Sequence, residues 1–369
     1  MAPPTPVPSI NPKPTLNGLK PEVWKHILEG ETDLQDALSL LRLPGTVLFQ
    51  VADFLRSQAV GETVTYVVNR NINYTDHCTG TCRFCAFRER KGYILTLEEI
   101  LDKTREAVEM GATEICIQGG LLPKPEIDYY LEMLRGIKKM SPSTHIHAFS
   151  PMEILHISQK NNLTPSETLR HLKKAGLDSM PGTAAEILVD RVRQKICPDK
   201  LTTNQWTEII ETAHKLGIPT TATIMYGHLE TWQERIQHIL LIRKIQQKTH
   251  GFTEFVPLPY LNRNNPLGRQ VKKTPTPTEN LKLHALARIL LHPHIQNIQA
   301  SWVKLGKKLA QKALKCGAND LGGTLIEEQI SKSAGAKTGE YTSPQEFQKL
   351  IKEINRTPAQ RDTLYNKKL

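Results

Sequence analysis

The densest chemistry in this chain lies in the stretch CTGTCRFC, where Cys78, Cys82 and Cys85 make up half of its six cysteines. A disulfide framework or a structural zinc site wants an even set of ligands, and catalytic zinc is seldom held by three thiolates. His77 adjoins Cys78, but that neighbour relation gives poor ligand geometry. Three thiolates in one short loop suit a cubane iron–sulfur cluster, whose remaining iron is then left without a protein ligand. An open iron is what a catalytic cluster needs and a plain electron carrier avoids. The spacing therefore predicts an iron–sulfur centre with one coordination site free for a small molecule. Cys116, Cys197 and Cys316 are scattered without a CxxC partner and read as reduced structural thiols.

Such a loop must be held by something, and the flanking sequence is a rhythm of strands and helices. VTYVVNRNINYT (Val64 to Thr75) alternates like a strand and runs into the cysteines. ATEICIQGG, HIHAFS, LDSMPGT, PTTATIMYG, FTEFVPLPY, IQNIQASW and ANDLGG read as seven further strands. Amphipathic helices separate them, two carrying capping-box starts: Thr96 with Glu99, and Thr164 with Glu167. VKLGKKLAQKALKCG (Val303 to Gly317) reads as one helix with a solvated basic face. Alternating strands and helices imply parallel pairing with right-handed crossovers, and eight units over this length predict a closed (β/α)₈ TIM-type barrel. The cysteine loop then follows the first strand at its C-terminal end, where the active sites of such barrels lie.

The expected organisation is a disordered proline-rich tail (1–20), an N-terminal helical extension covering one end of the barrel (21–60), the barrel (61–335) and a C-terminal helix with a polar tail (336–369). With 39% apolar residues the chain can build a large core, and no apolar run is long enough for a transmembrane helix. The start lacks a secretory layout, so the expected location is cytoplasmic, with no membrane partner. The net charge of +11 is spread rather than clustered with aromatics, which argues against nucleic acid. A basic surface also suits anionic metabolites or an acidic electron donor. His292 and His294 flank Pro293 after a helix end and read as a loop or cap, not a metal site.

CTGTCRFC, with Phe84 before the last cysteine, is identified with the CxxxCxxC signature of the radical S-adenosylmethionine enzymes. Together with NINYTDHCTGTCRFCAFRER, the segments QGGLLP, IHAFSPMEI, SMPGTAAEIL, FTEFVPLPY, GANDLGGT and RTPAQRDTLY resemble the CofH family, from about residue 60 to the end. That resemblance implies a 5-amino-6-(D-ribitylamino)uracil–L-tyrosine 4-hydroxyphenyl transferase of coenzyme F420 biosynthesis. It implies a [4Fe–4S] cluster on the three cysteines and S-adenosylmethionine at the open iron. The implied reaction splits tyrosine between Cα and Cβ, adds the hydroxybenzyl group to C5 of the diaminouracil and releases 2-iminoacetate. The implied partners are a reduced ferredoxin- or flavodoxin-type donor and a separate radical enzyme that closes the deazaflavin ring. A futalosine-pathway enzyme of menaquinone synthesis is the alternative, because the cluster motif is shared.

The resemblance also implies site residues. Gly119 and Gly120 stand where the superfamily's GGE element meets the methionine amino group, with Leu121 in place of its Glu. Ser150 ends the third strand, Thr183 and Glu186 follow the fourth, whose end faces the ribose, and Thr223 lies in the fifth, the strand that packs on adenine. Glu254 is a charge within an apolar strand, costly unless paired, and is expected in the pocket. Gln299, Asn319 and Asp320 are polar groups in comparable positions, expected to meet tyrosine's amine or the uracil edge.

Overall fold

In the computed structural model, residues 18–85, 92–124, 126–325 and 341–367 are described, so the proline-rich start as far as residue 17 lies outside them. The strands are β1 (Thr63–Val67), β2 (Asn69–Ile72), β3 (Glu114–Ile117), β4 (His145–Ala148), β5 (Thr220–Tyr226), β6 (Phe252–Pro259), β7 (Asp320–Gly323) and β8 (Thr357–Arg361). The described helices are α1 (Pro21–Glu29), α2 (Leu34–Leu40), α3 (Gly45–Val60), α4 (Leu97–Glu109), α5 (Ile127–Met140), α6 (Pro151–Lys160), α7 (Pro165–Ala175) and α8 (Asp190–Ile196). They continue as α9 (Thr203–Lys215), α10 (Trp232–Thr249), α11 (Leu267–Gln270), α12 (Pro277–Leu291), α13 (Trp302–Leu305), α14 (Lys307–Ala313) and α15 (Pro344–Lys352).

The parallel ladder closes on itself. β2 pairs with β3 and β3 with β4. Single bridges through Ser179 and Met180 lead to β5, which pairs with β6. Bridges at Ile298 and Gln299 then lead to β7, which pairs with β1. This is the expected eight-position barrel, with positions four and seven reduced to bridges. The long first strand divides at Val68: β1 pairs with β7 and β8, while β2 turns its edge to β3. Helices begin through a repeated local device. Thr96, Ser150, Thr164, Thr202, Thr231 and Thr276 each close a capping box with a Glu or Gln three residues on. Each N-cap contributes about 1 kcal/mol and fixes where strand-side loop becomes helix.

Three expectations change. The basic segment at 303–317 is two helices, α13 and α14, because Gly306 takes a positive φ of 79° between them. Lys308, Lys312 and Lys315 are nevertheless its exposed face. The N-terminal helices do not cap the barrel; α3 lies along α12 and α2 along α10, with Ile27, Leu48, Val51 and Leu55 buried against Leu286 and Ile289 in a core of their own.

The end of the barrel is instead filled by the C-terminal segment. The expected polar tail is β8, paired in parallel with β1, followed by residues that reach carboxylates at the starts of three strands. Arg361 binds Asp320 of β7 at 2.6 Å, Tyr365 donates to Glu254 of β6 at 2.6 Å, and Thr363 donates to Glu114 of β3 at 2.7 Å. The Arg361 guanidinium also lies 4.0 Å from the centre of the Tyr365 ring. Arg356 ties the approach to β8 onto Asp53 of α3 at 2.8 Å.

Candidate active site

A pocket opens at the C-terminal ends of the strands, opposite the Arg361 plug. Cys78, Cys82 and Cys85 all line it. The loop that carries them is stitched to the end of β3: Gly120 N–H donates to Thr75 at 3.0 Å, and Thr79 N–H to Leu121 at 2.9 Å. The two glycines make that approach possible. A Cβ on Gly119 would stand 2.6 Å from the Tyr74 ring, and one on Gly120 would stand 2.9 Å from the Cys78 Cβ and overlap the His77 carbonyl.

Glu153 fastens this wall from behind. Its carboxylate accepts from the Ser150 N–H at 2.7 Å, the Gly119 N–H at 3.1 Å and the Tyr74 hydroxyl at 3.0 Å. Burial raises its pKa, and those three donors pull it partly back. The Tyr74 hydroxyl is likewise pushed well above its ordinary range, first by burial and then by the Glu153 charge.

The opposite wall is the loop after the fourth strand position. Thr223 donates to the Gly182 carbonyl at 2.9 Å, and the Gly182 N–H to Thr221 at 2.9 Å. A Cβ at Gly182 would overlap the Thr221 carbonyl. Ala184 and Glu186 both have positive φ, 61° and 46°, a conformation that costs a non-glycine residue and marks a constrained turn. The buried Arg193 holds the turn, donating to the carbonyls of Ala184 at 3.1 Å, Leu201 at 2.6 Å and Ala185. The Glu186 carbonyl accepts from Met225 at 2.7 Å.

Lys200 crosses this wall toward the cysteines. Its ammonium lies 2.7 Å from the Glu186 carboxylate and 5.4 Å over the Phe84 ring. Burial opposes its charge, but Glu186 and Cys82 outweigh it and raise the pKa. Burial likewise pushes the Cys82 thiol up to about 12, with Lys200 pulling the other way. The three half-buried thiols are soft donors of the kind an iron–sulfur cluster takes, the Gly80 N–H donates to the Cys78 sulfur at 3.3 Å, and a Cβ on Gly80 would stand 3.3 Å from the Cys78 sulfur and 4.0 Å from that of Cys82. Met152, Met225, Leu258 and Tyr260 give the rest of the pocket an apolar lining.

Phe84, Gly119, Gly120, Ser150, Thr183, Glu186 and Thr223 are thus brought together with the cysteines. Glu254 and Asp320 are not: they sit at strand starts, engaged by Tyr365 and Arg361, because a buried carboxylate must be paired. Asn319 is turned toward the helix layer, accepting from Arg288 at 2.8 Å and from Ile298 at 2.9 Å. Gln299 is in register with Asp320 and only half-buried, and it is not among the pocket lining. Sequence reasoning missed Lys200, Arg193 and Tyr74. It also missed α6, although Ser150, Pro151 and Glu153 carry the same capping signature read at Thr96 and Thr164.

Comparison with known proteins agrees with this geometry. A model of the radical SAM superfamily matches residues 72–242, and one of the CofH/MqnC C-terminal region matches 249–369. A 5-amino-6-(D-ribitylamino)uracil–L-tyrosine 4-hydroxyphenyl transferase of Methanococcoides burtonii is 56% identical over 348 residues, spanning 93% of this chain and 98% of that protein. The enzyme of the same name from Archaeoglobus fulgidus is 60% identical over 318 residues, 86% of this chain and 92% of that one. Among solved structures, methylornithine synthase (TM-score 0.71, 18% identity, 91% of this chain and 97% of that one) has the same fold. So does the FeFe-hydrogenase maturase HydG from Carboxydothermus hydrogenoformans (TM-score 0.74, 18% identity, 93% of this chain and 80% of that one).

Proposed function

Because this chain belongs to the 5-amino-6-(D-ribitylamino)uracil–L-tyrosine 4-hydroxyphenyl transferase family of radical S-adenosylmethionine enzymes, we propose that it performs that family's reaction. The substrates are L-tyrosine and 5-amino-6-(D-ribitylamino)uracil. The 4-hydroxybenzyl group moves to C5 of the uracil and 2-iminoacetate leaves, a step toward the deazaflavin chromophore of coenzyme F420. The observation that carries this reading is the convergence of Cys78, Cys82 and Cys85 with Gly119, Gly120 and Glu186 on one pocket at the strand ends.

Cys78, Cys82 and Cys85 would hold a [4Fe–4S] cluster with one iron open to S-adenosylmethionine. Bound together, these two groups supply the one-electron chemistry that removes hydrogen from tyrosine. The chain's own residues do the positioning. Glu153, by holding the Gly119 N–H, keeps the strand end flat against the cysteine loop. Glu186 and Lys200 present a fixed charge pair beside Phe84 for the polar groups of the cofactor. Met152, Met225 and Leu258 exclude water and stray hydrogen donors from the reacting centre. A reduced ferredoxin- or flavodoxin-type protein supplies electrons, and a separate radical enzyme closes the deazaflavin ring, both within the cytoplasm.

The test is isotope tracing on anaerobically reconstituted protein. With ring-labelled tyrosine, the label enters a uracil product only when both substrates and S-adenosylmethionine are present. Turnover of a futalosine-type substrate, with no labelled uracil, would replace this reading with the menaquinone alternative.

A further inference from the structure

The cysteine loop is also held by segments flanking the pocket. Between Cys82 and Cys85, the Arg83 N–H donates to the Ile196 carbonyl at 2.8 Å, and the Arg83 carbonyl accepts from the Leu267 N–H at 2.7 Å. Its guanidinium donates to the Lys195 carbonyl at 3.1 Å and to Gln270 at 3.3 Å. The end of α8 and the whole of α11 are thereby clamped onto the thiol loop. The side chains of Lys195, Arg269, Lys272 and Lys273 on these segments are exposed. Residues 195–200 and 261–273 contain a single acidic residue, Asp199, and it is engaged with the Thr81 hydroxyl. Counting Arg83, the exposed Arg263 and Lys200, the last paired with Glu186, these segments carry seven cationic side chains against one carboxylate, and Arg83 directly follows Cys82.

The substrates do not account for this charge. Tyrosine is a zwitterion, the diaminouracil is uncharged, and S-adenosylmethionine carries a sulfonium that a cationic rim repels. A cationic, polar face outside a redox centre matches the small and electrostatically steered contacts of electron-transfer encounters. We propose that this face docks a small acidic electron carrier of the ferredoxin type. The proposal rests on the radical S-adenosylmethionine reading given above. One electron leaves the carrier's iron–sulfur centre, which is oxidised, and enters the centre held by Cys78, Cys82 and Cys85, which is reduced. No bond is made or broken and no proton moves in that step.

The test uses the full-length protein and two charge-reversal variants, Lys272→Glu/Lys273→Glu and the same pair combined with Lys195→Glu and Arg269→Glu. The probe is a 2[4Fe–4S] ferredoxin. Its binding is measured in the oxidised state by fluorescence anisotropy at low and high salt. Formation of 5′-deoxyadenosine is followed with reduced ferredoxin and, separately, with dithionite. Wild-type binding weakens as salt rises, and the fourfold reversal weakens it by about tenfold or more at low salt. The ferredoxin-driven rate falls in step, the dithionite-driven rate is unchanged, and the double variant lies between. Equal binding by wild type and both variants overturns the proposal, and so does a face that binds flavodoxin but not ferredoxin. Failure of dithionite to drive cleavage in the wild type would refute the underlying reading of the pocket, while the binding arm still decides the docking face.

Discussion

Replacing Gly120 with alanine tests how closely the cysteine loop and β3 must approach. The added methyl stands 2.8 Å from the His77 carbonyl carbon and 2.9 Å from the Cys78 Cβ, whereas ordinary contact begins near 3.4 Å. Both neighbours are backbone or next to it, so neither can swing aside. The peptide before Cys78 has to retreat by at least about 0.6 Å, beyond the roughly 0.5 Å tolerance of a functioning constellation. A misplacement of about 1 Å costs on the order of a hundredfold in rate, so this one costs at least about tenfold. Overpacking adds about 1–3 kcal/mol of destabilisation. The assay combines iron and sulfide content, the urea midpoint and the rate of 5′-deoxyadenosine formation. Gly120→Ala is expected to load cluster poorly or react at least tenfold more slowly, with a modest loss of stability. Full cluster content at the wild-type rate would refute the claim that this glycine sets the position of Cys78.

Other perturbations follow from the same contacts. Arg361→Met leaves the fully buried Asp320 and its neighbour Glu254 without their cation and is expected to cost about 3–5 kcal/mol, read from urea unfolding. Adding Asp320→Asn should recover part of that loss, whereas a further drop would show that the plug is not an ion-pair device. Glu153→Gln replaces one of the accepting oxygens with a donor facing the Ser150 N–H; an increase of severalfold in KM for S-adenosylmethionine and a loss of about 1–3 kcal/mol are expected. His147, His214 and His284 are held near pKa 4 and His238 near 3, each by burial first, against an ordinary value of 6.5. Because these groups stay neutral in the fold and take up protons when it opens, their contribution is complete above pH 6.5 and is lost as pH falls toward 4. Each such group contributes at most about 1.4 kcal/mol per pH unit in that window, and Glu254, whose carboxyl burial raises to about 7, works in the opposite sense, so the net expectation is a fall in stability as pH drops from 7 toward 4. A flat urea midpoint between pH 7 and 5 would contradict that.

The barrel and the cysteine loop were legible because both rest on local pattern. Strand alternation, capping boxes and the spacing of Cys78, Cys82 and Cys85 are set within a few residues of each other. Gly119 and Gly120 were legible through their resemblance to the superfamily's GGE element, and the structure supplies the physical reason, since a Cβ at either would collide with Tyr74 or His77. Lys200 was not, because its role comes from Glu186 fourteen residues away across a loop, and no period links the two. Glu254 shows the other limit. A carboxylate inside an apolar strand signals an obligatory partner, but the partner is Tyr365 from the far end of the chain, where β8 folds back across the barrel. The tail's polar composition hides that return, because Arg361, Thr363 and Tyr365 act inside the molecule through three strands rather than through a local repeat.

The most direct test of the central claim is spectroscopic. Reconstituted protein should contain four irons and four sulfides per chain in the [4Fe–4S] form. Its reduced electron paramagnetic resonance signal should change on addition of S-adenosylmethionine, because one iron is open. Cys78→Ala, Cys82→Ala and Cys85→Ala should each lose that signal. A fully loaded, reduced cluster whose signal is indifferent to S-adenosylmethionine, or a cluster that survives all three substitutions, would contradict the account.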